Sequence, residues 1–180
     1  MRLLPIAVFA LPACMQARET DPHVPGDSLG TFQVAATLDS SSCGPGALGS
    51  TESWDFEVQL SRRDDNLYWL NGQEAIPGRI AADGVTFAFD TRASIELEPA
   101  GKGRIGCSVV RSDQASGTLS SPTLDVASVA GRLVFGYAPT PTSDCSALYG
   151  MEGGFSALPC QMAYDFEALR TSVPSKKTAR

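Results

Sequence analysis

The feature that most constrains this chain is a period of two in its apolar residues. Cys160, Met162, Tyr164, Phe166 and Ala168 alternate with Gln161, Ala163, Asp165 and Glu167. Trp54, Phe56, Val58 and Leu60 alternate with Asp55, Glu57, Gln59 and Ser61, and Phe32, Val34, Ala36 and Leu38 with Gln33, Ala35 and Thr37. Successive side chains of an extended strand point to opposite faces, so the pattern predicts strands with one buried and one wetted face. No stretch of ten or more residues holds apolar positions at helical spacing without a Gly or Pro inside it. A chain without amphipathic helices buries its apolar faces sheet against sheet.

Weaker strand signals follow at 67–70, 73–76, 79–82, 85–89, 94–98, 105–111, 115–119 and 130–137. Turn residues separate them, among them Asn71-Gly72, Pro77-Gly78 and Asp83-Gly84. The sum is an all-β chain of about nine or ten short strands, either an antiparallel β-barrel in an up-and-down meander or a β-sandwich. The strong first and last strands suit a closed barrel, because closure leaves no exposed edge.

The N-terminus has one basic residue, Arg2, then an apolar run over 3–13 that ends in Leu11-Pro12-Ala13-Cys14. This arrangement resembles the signal and lipobox of bacterial lipoproteins; a plain secretory signal is the other reading. The resemblance implies a signal peptide at 1–13, lipidation of Cys14 and a location in the cell envelope, lipid-anchored to the outer membrane. Residues 14–30 then read as a flexible tether with Pro22, Pro25, Gly26 and Gly30, residues 31–170 as a single β domain, and residues 171–180 as a disordered basic tail. The β domain is similar to small β-rich lipoproteins of Gram-negative bacteria. Its Gly30-x-Phe32 start, followed by a meander, also resembles lipocalins, whose signature has Trp where Phe32 stands.

Four further cysteines remain, Cys43, Cys107, Cys145 and Cys160. An even number in an exported chain predicts two disulfides. Four cysteines allow three pairings, and the local bond Cys145–Cys160 together with Cys43–Cys107 is the expected one. No two cysteines stand at zinc-ligand spacing, and the one histidine, His23, lies in the tether, so neither a metal nor a cofactor is expected.

A formal net charge of −6 argues against a nucleic-acid partner. Residues after 30 include no histidine, which removes Ser-His-Asp and Cys-His catalysis there, and they hold no nucleophile elbow and no P-loop. The carboxylate pairs Asp55/Glu57, Glu96/Glu98 and Asp165/Glu167 fall on polar strand faces and Asp64/Asp65 in a turn, where they meet water rather than form a dyad. Trp54, Phe56, Phe87, Phe89, Phe135, Tyr164 and Phe166 fall on apolar faces and read as core, although a barrel could use some to line a cavity. The expectation is therefore not an enzyme but a membrane-tethered envelope lipoprotein with a structural or interaction role. A small-ligand or glycan-binding barrel is the alternative. The expected partner is the membrane, through the lipid anchor, with a protein or small-molecule partner left open.

Overall fold

The computed structural model describes residues 24–70 and 74–172. Cys14, the expected signal peptide, residues 14–23 of the tether and residues 173–180 of the basic tail lie outside the described residues. Eight strands follow one another: β1 Asp27–Ser41, β2 Ser53–Arg63, β3 Asn66–Leu70, β4 Ala75–Ile80, β5 Thr86–Glu98, β6 Cys107–Leu119, β7 Ser128–Pro139 and β8 Cys160–Ser172. Each pairs antiparallel with the next, and β8 returns to pair with β1. The molecule is a closed up-and-down barrel, which settles barrel against sandwich.

The strands number eight, not nine or ten, because three pairs of expected strands are continuous. Strand β5 contains both 86–89 and 94–98, and β6 both 107–111 and 115–119. The polar residues between them pair with one another, Asp90 opposite Gln114, Thr91 opposite Asp113 and Arg92 opposite Ser112. Backbone hydrogen bonds continue a ladder whatever the side chains are, so a polar stretch need not end a strand. Strand β4 runs through Pro77-Gly78. Pro77 pairs with Tyr68 on β3 and has no β5 partner among the described residues, an edge position that tolerates a residue without an N–H.

Pairing also takes in residues given to the tether and the tail. β1 starts at Asp27, with Leu29 fully buried, and Thr31 faces Ser172 across β1–β8. A register shift between Ser28 and Gly30 interrupts the period of two there, which hid the start of the strand.

The disulfides are Cys43–Cys160 and Cys107–Cys145, not the expected Cys145–Cys160 with Cys43–Cys107. Closure of the barrel is the reason. β1 and β8 are neighbours with Ser41 opposite Met162, so Cys43 just past β1 meets Cys160 at the start of β8. Residues 140–159 fold back over β6, where Thr140 N–H donates to Ser108 O at 2.9 Å and Asp144 N–H to Gly106 O at 3.1 Å, bringing Cys145 to Cys107.

Inward rows from all eight strands fill the lower barrel with Phe32, Val58, Leu60, Leu67, Ile80, Phe87, Leu119, Val129 and Phe166, all buried. Each such aromatic removes roughly 150–250 Å² from water, a gross gain of about 4–6 kcal/mol before entropy is counted. The outer face is polar, with Asp55, Glu57, Asp90, Asp165 and Glu167 exposed, the reverse of a barrel that spans a bilayer.

Candidate functional site

The wall of the barrel is uneven. Strands β3 and β4 have 5 and 6 residues, whereas the flanking β2 and β5 have 11 and 13. β2 therefore meets β3 only from Gln59 onward, and β5 meets β4 only at Phe87 and Ala88. On that side, residues 53–58 of β2 and 90–98 of β5 have no strand partner among the described residues. Among the described residues, a lateral gap opens between them.

The inward rows behind this gap do not close over one another. Trp54 is 41% exposed although it shares the inward parity of Val58 and Leu60, and Phe56 and Phe135 are half-buried. The rings form a connected wall. Trp54 and Phe56 have centroids 4.4 Å apart, Phe56 and Trp69 6.1 Å, Trp69 and Phe89 5.8 Å, and Trp54 and Phe135 6.3 Å. Gly78 makes room for this wall, since a Cβ there would overlap the ring of Phe89.

Two hollows share the cleft. One of about 120 Å³ lies among Trp54, Phe56, Trp69, Phe89, Leu133 and Phe135, with Arg111 and Asp113 also in its wall. The other, about 330 Å³, reaches the loop at 47–51 and is lined by Tyr137, Met162 and Tyr164. They meet at Trp54, Arg111 and Phe135, which line both.

Arg111 and Asp113 continue the inward row of β6 that begins with Cys107 and Val109. Arg111 Nε donates to Asp113 Oδ1 at 2.6 Å, and the guanidinium carbon stands 5.3 Å from the Phe135 ring centroid, a cation–π contact. Burial works against the charge of Arg111, but the hydrogen bond and charge of Asp113 outweigh it and raise the pKa, so the guanidinium stays protonated. Tyr137 stands opposite Arg111 on β7, and burial pushes its phenol pKa up, so it too keeps its proton at neutral pH.

The end of the barrel above the cleft is capped. The loops at 42–52 and 140–159 are joined by Leu48 N–H to Gly153 O at 2.9 Å and Ser156 N–H to Cys43 O at 2.7 Å. Both disulfides anchor this cap, and the buried Phe155 packs on Tyr137 with centroids 5.9 Å apart. Tyr164 Oη donates to Thr51 O at 3.2 Å and ties the cap to β8. The exposed Trp54 at the gap and the exposed Leu48 of the 47–51 loop mark where the cleft meets solvent.

The residues singled out in the sequence fall elsewhere or only partly here. The four cysteines hold the cap. Asp55, Glu57, Glu96, Asp165 and Glu167 are exposed on the outer face, Asp64 and Asp65 sit in the β2–β3 turn, and Glu98 pairs with Arg104 at 2.7 Å. None of these carboxylates lines the cleft. Of the expected core aromatics, Phe87, Phe89, Tyr164 and Phe166 are buried, whereas Trp54, Phe56 and Phe135 are incompletely covered; all but Phe87 and Phe166 line the hollows. Arg111, Asp113 and Tyr137 escaped notice as site residues. Carrying the alternation of Cys107 and Val109 two steps further would have put both charges on the apolar face. Among the described residues, no three His, Cys, Asp or Glu side chains gather to hold a metal ion. No protein-family model, no curated protein and no solved structure matches the chain.

Proposed function

We propose that this chain is a non-catalytic binding protein of the cell envelope, tethered by a lipidated Cys14, that holds one small amphipathic molecule in the lateral cleft. The observation behind this reading is the partly buried Arg111–Asp113 pair set among aromatics left incompletely covered at a gap in the wall. A barrel with a purely structural role gains by filling such a place. Arg111 and Asp113 are each about a third exposed, so their pairing adds little stability, whereas close-packed apolar side chains at that place would add more. A cleft with aromatic walls and few convergent polar groups is the usual form of a small-ligand site. The polar outer face supports a barrel held beside a membrane by an anchor, consistent with the lipobox-like Leu11-Pro12-Ala13-Cys14.

The test is a fluorescence titration of the full chain with N-phenyl-1-naphthylamine, a neutral probe that brightens in apolar sites. Saturable binding at one site per chain is expected. Two variants of the cleft should weaken it at least tenfold: Trp54→Ala, which removes the mouth, and Thr91→Phe, which fills the smaller hollow. Trp54 is the more exposed tryptophan, so its loss should leave the fold intact. No saturable binding by the wild-type chain, or binding indifferent to both substitutions, refutes the reading.

A further inference from the structure

We propose that the cleft selects ligands with a carboxylate head, held by the terminal nitrogens of Arg111 and the hydroxyl of Tyr137, with the apolar body lying among Trp54, Phe56 and Trp69. The inference rests on the small-ligand reading of the cleft and names the chemistry that the cleft recognises.

The argument starts from how the arginines are used. Arg132 and Arg170 spend terminal nitrogens on carboxylates, NH1 of Arg132 on Asp165 at 2.8 Å and NH2 of Arg170 on Asp125 at 2.7 Å. Arg104 NH2 bonds Glu98 at 2.7 Å, and Arg62 NH1 donates to Pro122 O at 2.8 Å. Arg111 differs. Its one hydrogen bond leaves from Nε, and its terminal NH1 and NH2 groups donate to nothing among the described residues. A guanidinium is planar with five donors, so a bond at the Nε side fixes the plane and leaves the terminal fork presented. Asp113 thus orients Arg111 without exhausting it. The side chain is 37% exposed, and it lines both hollows, so the fork is reachable from the cleft.

A second donor stands beside it. Arg111 and Tyr137 are register partners across β6 and β7, both on inward rows, and both line the larger hollow. The Tyr137 hydroxyl makes no hydrogen bond among the described residues. No fully buried side-chain polar atom there lacks a partner, so this hydroxyl keeps some exposure, and the residue that carries it lines the larger hollow. With its phenol pKa raised by burial, Tyr137 remains a donor. A fork of N–H groups and an adjacent O–H match the acceptor-only oxygens of a carboxylate, and they match an amide less well. Aromatic walls on the smaller hollow suit a compact apolar body such as a phenyl ring or a short acyl chain.

The experiment compares 3-phenylpropionate with 3-phenylpropanamide on the full chain. The emission of Trp54 and Trp69, its two tryptophans, reports binding. The acid should bind at least about tenfold more tightly than the amide, the equivalent of about 1.4 kcal/mol. In the charge-balanced variant Arg111→Gln/Asp113→Asn that preference should vanish. Tyr137→Phe, which keeps the packed ring on Phe155, should cost the acid several-fold and leave the amide unchanged. It serves as the decisive variant if the double substitution fails to fold. Equal affinity for acid and amide overturns the carboxylate assignment, as does a preference that survives in the variants. Binding of N-phenyl-1-naphthylamine by the same preparation then leaves the cleft itself standing. Loss of all three probes overturns both readings.

Discussion

The Cys43–Cys160 bond should contribute more to stability than any other single covalent feature of the fold. It joins residues 117 apart, and the Cys107–Cys145 bond, which spans 38, lies wholly inside that stretch. With the inner bond intact, the outer one closes an unfolded ring of about 79 residues (117 − 38). The chain-entropy relation then gives about 4–5 kcal/mol for the outer bond and about 4 kcal/mol for the inner one. Domains of this size have a net stability of only about 5–15 kcal/mol. The variant Cys43→Ala/Cys160→Ala should therefore lose about a quarter or more of its stability, read as a lowered urea midpoint with a slope that rises as the unfolded chain expands. Alanine at both positions avoids a free thiol and disturbs the buried site little. The same substitutions test the pairing. In the single variant Cys43→Ala, alkylation and peptide mapping should find Cys160 labelled and Cys107 still bonded to Cys145. Labelling of Cys107 instead would mean that Cys43 pairs with Cys107 and that the barrel does not close as described. A loss of stability under about 1 kcal/mol refutes the entropic reasoning, because it would show that β1–β8 pairing persists in the unfolded ensemble.

Two further outcomes are expected. Asp39 on β1 bonds the Arg132 guanidinium, which also holds Asp165, and that bond keeps the Asp39 carboxyl below its ordinary pKa. Its folded pKa is depressed, so its share of stability is present above the unfolded pKa and lost as pH falls through the folded one. Carboxyl-carbon NMR across that acid range should show Asp39 titrating low and moving up in Arg132→Gln; an unmoved Asp39 rejects the pairing. Mass spectrometry of protein extracted from membranes should find Cys14 acylated and residues 1–13 absent, as the lipobox resemblance implies, and an unmodified N-terminus rules the anchor out.

Much of the fold was legible because strand formation is a local property. The alternation of Trp54 to Leu60 and of Cys160 to Ala168 depends only on side chains pointing to opposite faces, and it identified β2 and β8 with their buried sides. It failed where a local rule was interrupted without ending the strand. The bulge at Ser28–Gly30 and the facing polar stretches of β5 and β6 are stabilised by ladder hydrogen bonds to a neighbour, which the pattern of one strand cannot register.

By itself, then, the sequence determined an all-β chain whose strands each bury one face, and the lack of histidine after residue 30 argued against Ser-His-Asp and Cys-His chemistry in the β domain. The tertiary structure decided which strand ends meet. That choice set the disulfides, because Cys43 and Cys160 become neighbours only when β8 returns to β1. It also set the cleft, because the shortness of β3 and β4 matters only beside the longer β2 and β5. Arg111 is an ordinary charged residue in the sequence. It becomes the centre of the candidate site because closure turns its face of β6 inward, at the level where the wall is missing and water can still reach it.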